Sequence, residues 1–315
     1  MGIKQPLVSV YVISYNLSRY VVECLDSIFN QTYQNIELVI SDDCSSDDTV
    51  VVINNWLETH RNRFPRVQFL TADKNAGMVQ NRIKAEDACS GDYIKPIDID
   101  DYMEIHFVEK CISSFLLNPD CHFIYTSSFR LLEDRNNALV KEGVLLYKSG
   151  NLFKELFMLE TWIFPCSWMM SRKLAKEIPF DKSVYVDDYL RLLRIASKYS
   201  LYWVDEFLVI YRIRAGSGGK GSIRNFYAQL ETINRFKDYP LYSQRREIIL
   251  KYLSDCAEVQ QPFYLLKMAV EFKRFSYVKR YYSITRRKAR AAIKKTKAFQ
   301  TIRQTWLWRK LKDKI

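Results

Sequence analysis

Apolar residues along the first 130 positions fall into two alternating patterns. Short runs rich in β-branched residues at 7–14, 36–41, 67–70, 93–97 and 123–126 read as strands. Between them, at 20–30, 47–58, 78–89 and 103–117, apolar positions recur at helical spacing. This alternation predicts βαβ units and an α/β fold with a mostly parallel sheet flanked by helices. Ligands of such sheets sit beyond the carboxyl ends of the strands. The stretch 130–150 is polar and reads as a loop or weak hairpin, and mixed elements follow to about 211. The run Arg214-Ala215-Gly216-Ser217-Gly218-Gly219-Lys220-Gly221 reads as a hinge, a mobile loop or a phosphate-contacting loop. Beyond it the pattern is helical to the end. Two regions are therefore expected, 1–216 and 217–315.

Charge separates these regions further. Residues 267–315 carry 17 Lys/Arg against Glu271 and Asp313, so a chain of net charge +12 has a slightly acidic body and a strongly basic tail. Basic and aromatic residues alternate there, as in Phe272-Lys273-Arg274-Phe275, Lys279-Arg280-Tyr281-Tyr282 and Trp306-Leu307-Trp308-Arg309-Lys310. Three readings fit: a helix lying on an anionic membrane surface, packing or oligomer contacts with solvated cationic faces, or nucleic-acid binding, for which no motif speaks. No apolar run reaches the ~18–20 residues a spanning helix needs. The amino terminus lacks a basic stretch followed by a long apolar one, so no secretory signal is expected, and Pro6 argues against myristoylation. The seven cysteines are scattered and never spaced CxxC, which points to reduced thiols in the cytoplasm.

The acidic residues concentrate where the fold would place a ligand. Asp98-Ile99-Asp100-Asp101 directly follows the strand run at 93–97. Three carboxylates in four positions repel one another unless a cation lies between them, and a hard divalent ion takes oxygen ligands while leaving places for phosphates. Two carboxylates would suffice for an acidic turn capping the next helix. Asp42-Asp43 follows the second strand, where a carboxylate can accept from a base N–H or a ribose hydroxyl; Ser45, Ser46 and Asp47 read as helix caps. Asn75-Ala76-Gly77 opens the third helix, either as a helix start with a permissive glycine or as an anion site. Asp187 and Asp188 begin another helix, where by themselves they read as an N-cap and a first-turn acid suited to the helix dipole. Arg212, Arg214 and Lys220 flank the glycine-rich run, as surface charges or as a cationic flap over phosphates.

Taken in order, these segments resemble family 2 glycosyltransferases of GT-A fold. Val8 to Asn16 is similar to the opening strand, and Cys24 to Tyr33 to the "ECL-SI--QTY" stretch. Residues 37–49 resemble the "E-(I/V)-DDGS-D-T" segment, with Cys44 in place of the usual glycine. Asn75, Gly77 and Asn81 resemble "N-G----N", and residues 91–101 resemble "GEYI--LD-DD", the DXD element. The likeness is strong over 6–130 and weaker over 165–215. It implies a nucleotide-sugar donor, with UDP as the expected nucleotide, and transfer to a sugar or lipid-linked saccharide with inversion. It also implies Asp43 at the base, Ser14 and Tyr15 beside the nucleoside, and Asn75, Gly77 and Asp98 in the donor set. Asp100 would hold ribose or metal, and Asp100 and Asp101 would ligate Mn²⁺ or Mg²⁺. Asp187-Asp188 resembles the "ED" position, with Asp188 as general base. Tyr211, Arg212, Arg214 and Ser217 resemble the "YR-H--S" loop, with Arg214 where His is common, placing Arg212 and Arg214 on the donor. Cell-surface polysaccharide assembly at the inner face of the plasma membrane is expected by association with the family. A nucleotidyltransferase is the rival enzyme class, but Ser14-Tyr15-Asn16-Leu17-Ser18 lacks the glycines its loop requires. A degenerate binding module is the other rival, and the intact Asp98, Asp100, Asp101 and Asp188 argue against it.

Overall fold

The first strand, β1 (Val8–Ser14), is buried along its whole length, which marks it as a central parallel strand covered on both faces. The computed structural model describes residues 5–133, 138–141, 148–184, 187–214, 223–260, 264–273 and 275–295. After β1 comes α1 (Val21–Phe29), which buries Val21, Cys24, Leu25 and Ile28, the i, i+3, i+4, i+7 stripe of an amphipathic helix. The chain continues through β2 (Ile36–Asp42), α2 (Thr49–His60), β3 (Val67–Thr71), α3 (Met78–Asp87) and β4 (Tyr93–Asp98). β1 pairs in parallel with β2 on one side and β4 on the other, and β2 pairs in parallel with β3. Even-numbered residues of β1 and β2 pack against α1 in the main apolar core. On the opposite face Ser41 Oγ donates to Asn81 Oδ1 of α3 at 2.6 Å.

The second half changes direction. It comprises β5 (Tyr102–Met103), α4 (Phe107–Leu117), β6 (Phe123–Leu132), β7 (Ala138–Lys141), α5 (Phe153–Met158), β8 (Trp168–Ser171), α6 (Arg172–Glu177), α7 (Asp187–Ala196) and β9 (Tyr202–Ile213). The described strands form one sheet ordered β3-β2-β1-β4-β8-β6-β9-β5, with β7 on β6. β8 is antiparallel to both β4 and β6, while β6 and β9 run parallel. The sheet is thus parallel through residue 98 and mixed beyond it.

Two expected boundaries move for one reason, pairing with a distant strand. The strand expected at 123–126 extends to Leu132 because β9 pairs with it from Ile124↔Tyr202 to Leu132↔Ile213. The helix expected from 103 begins at Phe107, because Tyr102 and Met103 pair with Ile210 and Val209. Gln31 stabilises that helix start: its Oε1 accepts from the Val108 amide at 3.0 Å and its Nε2 donates to the Glu104 carbonyl at 2.8 Å.

A buried carboxylate ties the other ends of these strands. Glu37, fully buried in β2, accepts from Ser9 Oγ, the Ser90 amide and hydroxyl, and the Gly91 amide. Burial alone would raise its pKa, but these hydrogen bonds outweigh burial and lower it. Gly91 is required by close approach, since a Cβ there would lie 2.6 Å from the Ser9 amide nitrogen.

By contact pattern the chain divides into two units, 1–218 with 231–237, and 219–230 with 238–315. In the second, α9 (Tyr242–Gln260), α10 (Tyr264–Glu271) and α11 (Phe275–Lys295) bury Leu250, Leu253, Leu265, Met268 and Ile284, and Arg280 pairs with Asp255 at 2.6 Å. A further helix, α8 (Ile223–Ile233), precedes them. No helix among the described residues is long and apolar enough to cross a membrane.

Candidate active site

The carboxyl ends of β1, β2 and β4 are adjacent, and those of β2 and β4 each carry an acid. Ser14 lies opposite Asp42, and Ile13 opposite Asp98. β4 then turns sharply, with the Asp101 amide donating to the Asp98 carbonyl at 2.9 Å. This turn gathers Asp98, Asp100 and Asp101 so that one carboxylate oxygen from each lies within 4.8 Å of the others. Burial, then the charge of Asp98, raises the pKa of Asp100. Burial and the charges of Asp100 and Asp98 push Asp101 well up. Such carboxylates are short of positive charge. Oxygen donors at this spacing, with raised proton affinity, suit a hard divalent cation, so the residues present fit Mn²⁺ or Mg²⁺.

Two arginines support the cluster from β9. The Arg212 amide donates to Asp101 Oδ1 at 2.9 Å, and its Nε donates to the Asp100 carbonyl at 2.8 Å. The other guanidinium nitrogens reach Glu133, at 3.1 Å, and Glu23. Arg212 is 6% exposed, and its guanidinium is taken up under the acid-bearing turn. Arg214 Nε donates to Asp100 Oδ2 at 2.7 Å. Arg214 also lines a cavity of about 480 Å³ with Asn16, Leu17, Ser18, Arg19, Tyr20, Asp47 and Glu133. The cluster therefore adjoins a polar cavity, and Arg214 belongs to both. The flap expected around Lys220, with Ser217, lies outside the described residues.

On the opposite side stands α7. Asp188, in its first turn, accepts from the Tyr189 amide at Oδ1, 2.7 Å away. Its Oδ2 faces Arg82 Nη1 at 3.7 Å, and the same guanidinium donates to Asp98 through Nη2 at 3.0 and 3.1 Å. Burial raises the pKa of Asp188, and Arg82 pulls it back down. Arg82 itself is 4% exposed; burial disfavours its charge, but Asp98 and Asp188 outweigh that and raise its pKa. Asp187 points elsewhere: its Oδ2 accepts from the Asp181 amide at 2.9 Å, and burial raises its pKa to about 6.

The remaining expected donor residues form a separate group along β1 and β2. Asp43 accepts from the Ala76 and Gly77 amides, one on each oxygen, both at 2.8 Å, and Asn75 Nδ2 donates to the Asp43 carbonyl at 3.3 Å. Each Asp43 oxygen keeps a lone pair for another donor. Gly77 has φ 90° and ψ 159°, a conformation that glycine alone adopts readily. Ser14 Oγ donates to Asp42 at 2.7 Å, whereas Tyr15 is 46% exposed. Cys44 sits at φ 63°, where the family pattern has glycine, so the turn keeps its left-handed residue at a strain of about 1–2 kcal/mol. Ser45 donates to Asp42, and Asp47 receives the Thr49 amide at 3.0 Å near the start of α2.

Sequence reasoning missed Arg82, Glu133, Glu23 and Lys95. Arg82 directly follows Asn81 in a quoted motif, and that adjacency was the one available signal. Glu133 lies in a polar stretch with no local pattern. Lys95 is fully buried in β4; its Nζ donates to the Pro96 carbonyl at 2.8 Å and to the Cys166 carbonyl, and burial lowers its pKa to about 8.

Comparison with known proteins agrees with this architecture. Residues 9–179 match the pattern of Glycosyl transferase family 2. Chondroitin synthase of Escherichia coli is 37% identical over 193 residues, which are 60% of this chain but only 27% of that protein. Glycosyltransferase GlyG of Streptococcus pneumoniae is 26% identical over 227 residues, covering 67% of this chain and 72% of GlyG. Among solved structures, S. aureus TarS 1–349 in complex with UDP superposes with a TM-score of 0.59 at 17% identity, over 83% of this chain and 75% of that one. Mannosyltransferase PcManGT of Pyrobaculum calidifontis, in complex with GDP-Man and Mn²⁺, gives 0.57 at 17% identity over 94% and 83%. At that identity the likeness shows the GT-A fold alone, but the match to the family pattern covers more than half of the sequence, and the chain belongs to glycosyl transferase family 2.

Proposed function

We propose that this glycosyltransferase moves a sugar from a nucleoside-diphosphate donor, a UDP-sugar, to an acceptor hydroxyl with inversion. The single observation that carries the reading is that the buried Arg82 pairs with Asp98, a member of the Asp98, Asp100 and Asp101 cluster, and faces Asp188. A cation-binding cluster and a separately mounted carboxylate are the two parts that a single displacement requires.

Asp188 takes the proton of the acceptor hydroxyl as that oxygen attacks the anomeric carbon. Its raised pKa makes it a stronger base than an exposed aspartate, while Arg82 keeps it ionised. Asp100 and Asp101 would hold Mn²⁺ or Mg²⁺, which supplies positive charge for the departing diphosphate. Arg214, which lines the cavity, adds a cation beside Asp100. Asp43 retains acceptor capacity for a base N–H, and the backbone at Gly77 leaves space for close approach of a ligand. The test is a thermal-shift panel of UDP- and GDP-sugars with and without Mn²⁺, followed by proton NMR of the product's anomeric centre. Stabilisation by a UDP-sugar that needs Mn²⁺, and an inverted product, are expected. No stabilisation by any nucleotide sugar, or retention, overturns the reading.

The acceptor is proposed to be a growing saccharide or lipid-linked saccharide of a bacterial surface polymer, by relation to the chondroitin synthase and GlyG matches. The basic tail then holds the enzyme on the anionic inner face of the plasma membrane. Lys279, Arg286, Arg287 and Lys288 of α11 are exposed, and Tyr282 is 64% exposed, a composition suited to an anionic interface. The stretch 296–315, with Trp306 and Trp308, lies outside the described residues. Flotation with anionic vesicles but not zwitterionic ones, lost in high salt, is expected; equal flotation with both removes the tail's role.

A further inference from the structure

The geometry points to Arg82 as the positioning residue for Asp188, holding that carboxylate beside the donor site; this rests on the reading of Asp188 as the base. Arg82 reaches two carboxylates on different elements. Nη2 donates to both oxygens of Asp98, at the end of β4, at 3.1 and 3.0 Å. Nη1 faces Asp188 Oδ2, on α7, at 3.7 Å, an ion-pair distance beyond hydrogen-bond length. The other Asp188 oxygen is already held by the Tyr189 amide. Arg82 thus faces the Asp188 oxygen that the Tyr189 amide does not hold.

A purely structural role is already filled nearby. Arg191 of α7 grips Glu86 of α3 with two bonds, at 2.7 and 2.8 Å, and also donates to the carbonyls of Ile178 and Ala175. It stacks on Phe180 at 4.0 Å. That fork locks α3 to α7. Arg82 lies one turn before Glu86, and Asp188 one turn before Arg191, so the two ties are successive rungs between the same helices. The Glu86 rung joins the helices alone. The Arg82 rung includes Asp98, a member of the acidic cluster, and so links the donor side of the site to the base.

A guanidinium is the group that can face two carboxylates in one plane; an ammonium is a point charge that serves one of them well. Replacing Arg82 with Met leaves Asp188 buried with no cation beside it. The loss should therefore fall on the chemical step rather than on donor affinity.

The test is a double-mutant cycle of Arg82→Met and Asp188→Asn, reading UDP release from the UDP-sugar that stabilises the wild type most. Arg82→Met should lower kcat about 10–100-fold, with the donor KM within about fivefold of wild type. On the Asp188→Asn background the same change should cost less than about threefold, because the group through which Arg82 acts is gone. Arg82→Lys should recover part of kcat, and it carries the cycle if the Met variant does not fold. A full loss on the Asp188→Asn background, an unchanged kcat in Arg82→Met, or a loss confined to KM overturns the assignment. Wild-type turnover by Asp188→Asn alone instead removes the base reading itself, and the assignment of Arg82 falls with it, so the two failures are told apart by the single variants.

Discussion

The acidic cluster is held differently on its two sides. Toward α7, one arginine from the middle of a helix meets two carboxylates, Asp98 and Asp188, and is almost wholly buried. Toward β9, two arginines from one strand end divide the work: Arg212 is anchored beneath the turn by Glu133 and Glu23, while Arg214, 27% exposed in its side chain, meets Asp100 and lines the cavity. The first side is rigid and couples two elements through charge. The second separates a fixed support from a partly exposed cation that, on the proposed reading, exchanges Asp100 for a ligand phosphate. On the proposed reading, proton transfer belongs to the α7 side and leaving-group handling to the β9 side.

The largest expected effect breaks the α7 side. Asp188→Asn should lower kcat by about 10²–10⁴ while donor affinity survives, measured by UDP release and calorimetry; unchanged turnover would place the base elsewhere. Next, Asp101→Ala should weaken Mn²⁺-dependent UDP binding by about 100-fold, since a proposed charged metal ligand is removed; equal affinity by calorimetry with and without Mn²⁺ would show that the cluster holds no ion. Arg212→Met should act on stability more than on chemistry, because it removes the buried cation that Glu23 and Glu133 share beneath the turn, although Glu133 keeps Arg19 and Tyr20. A loss of about 2–3 kcal/mol in urea unfolding is expected, at the lower end because Glu23 is half exposed. Asp187→Asn sharpens the comparison one residue from the base. The folded pKa of Asp187 is about 6, raised from near 4, so its favourable contribution is complete below about pH 4 and is lost as pH rises through 6. The stability of wild type relative to Asp187→Asn should therefore fall by about 2 kcal/mol between pH 4 and pH 7.5, and a constant difference would show that Asp187 does not titrate this way. The smallest effect belongs to Arg214→Ala, about tenfold in donor KM with kcat little changed; a stability loss instead would make Arg214 a support like Arg212.

Much of the parallel half was legible because its signals are local. Strand and helix runs through 97 were recognisable from apolar spacing, and the motif order led from there to the GT-A fold. Even the clustering of Asp98, Asp100 and Asp101 follows from their spacing, since a turn at the end of a strand keeps such residues together. Where Cys44 replaced glycine, the turn survived, because the left-handed conformation costs a non-glycine residue only modestly.

The second half resisted for the opposite reason. β6 owes its length to β9, some 80 positions later, and β5 exists because β9 passes beside it. Such pairings are fixed by sheet order, to which no local pattern responds. The same holds for charge: no local pattern pairs Arg82 with Asp98 and Asp188, or Arg212 with Glu23 and Glu133, and these ties form only once the elements that carry them meet.

The amino-acid sequence by itself therefore determined the α/β character, the family and the carboxylates that crowd the end of β4, because each is written in contiguous residues. The tertiary structure alone decided which cation faces which acid and which arginine is tied down beneath the turn. Ion pairing depends on distance in space, and burial sets its strength; neither quantity exists until the chain has folded.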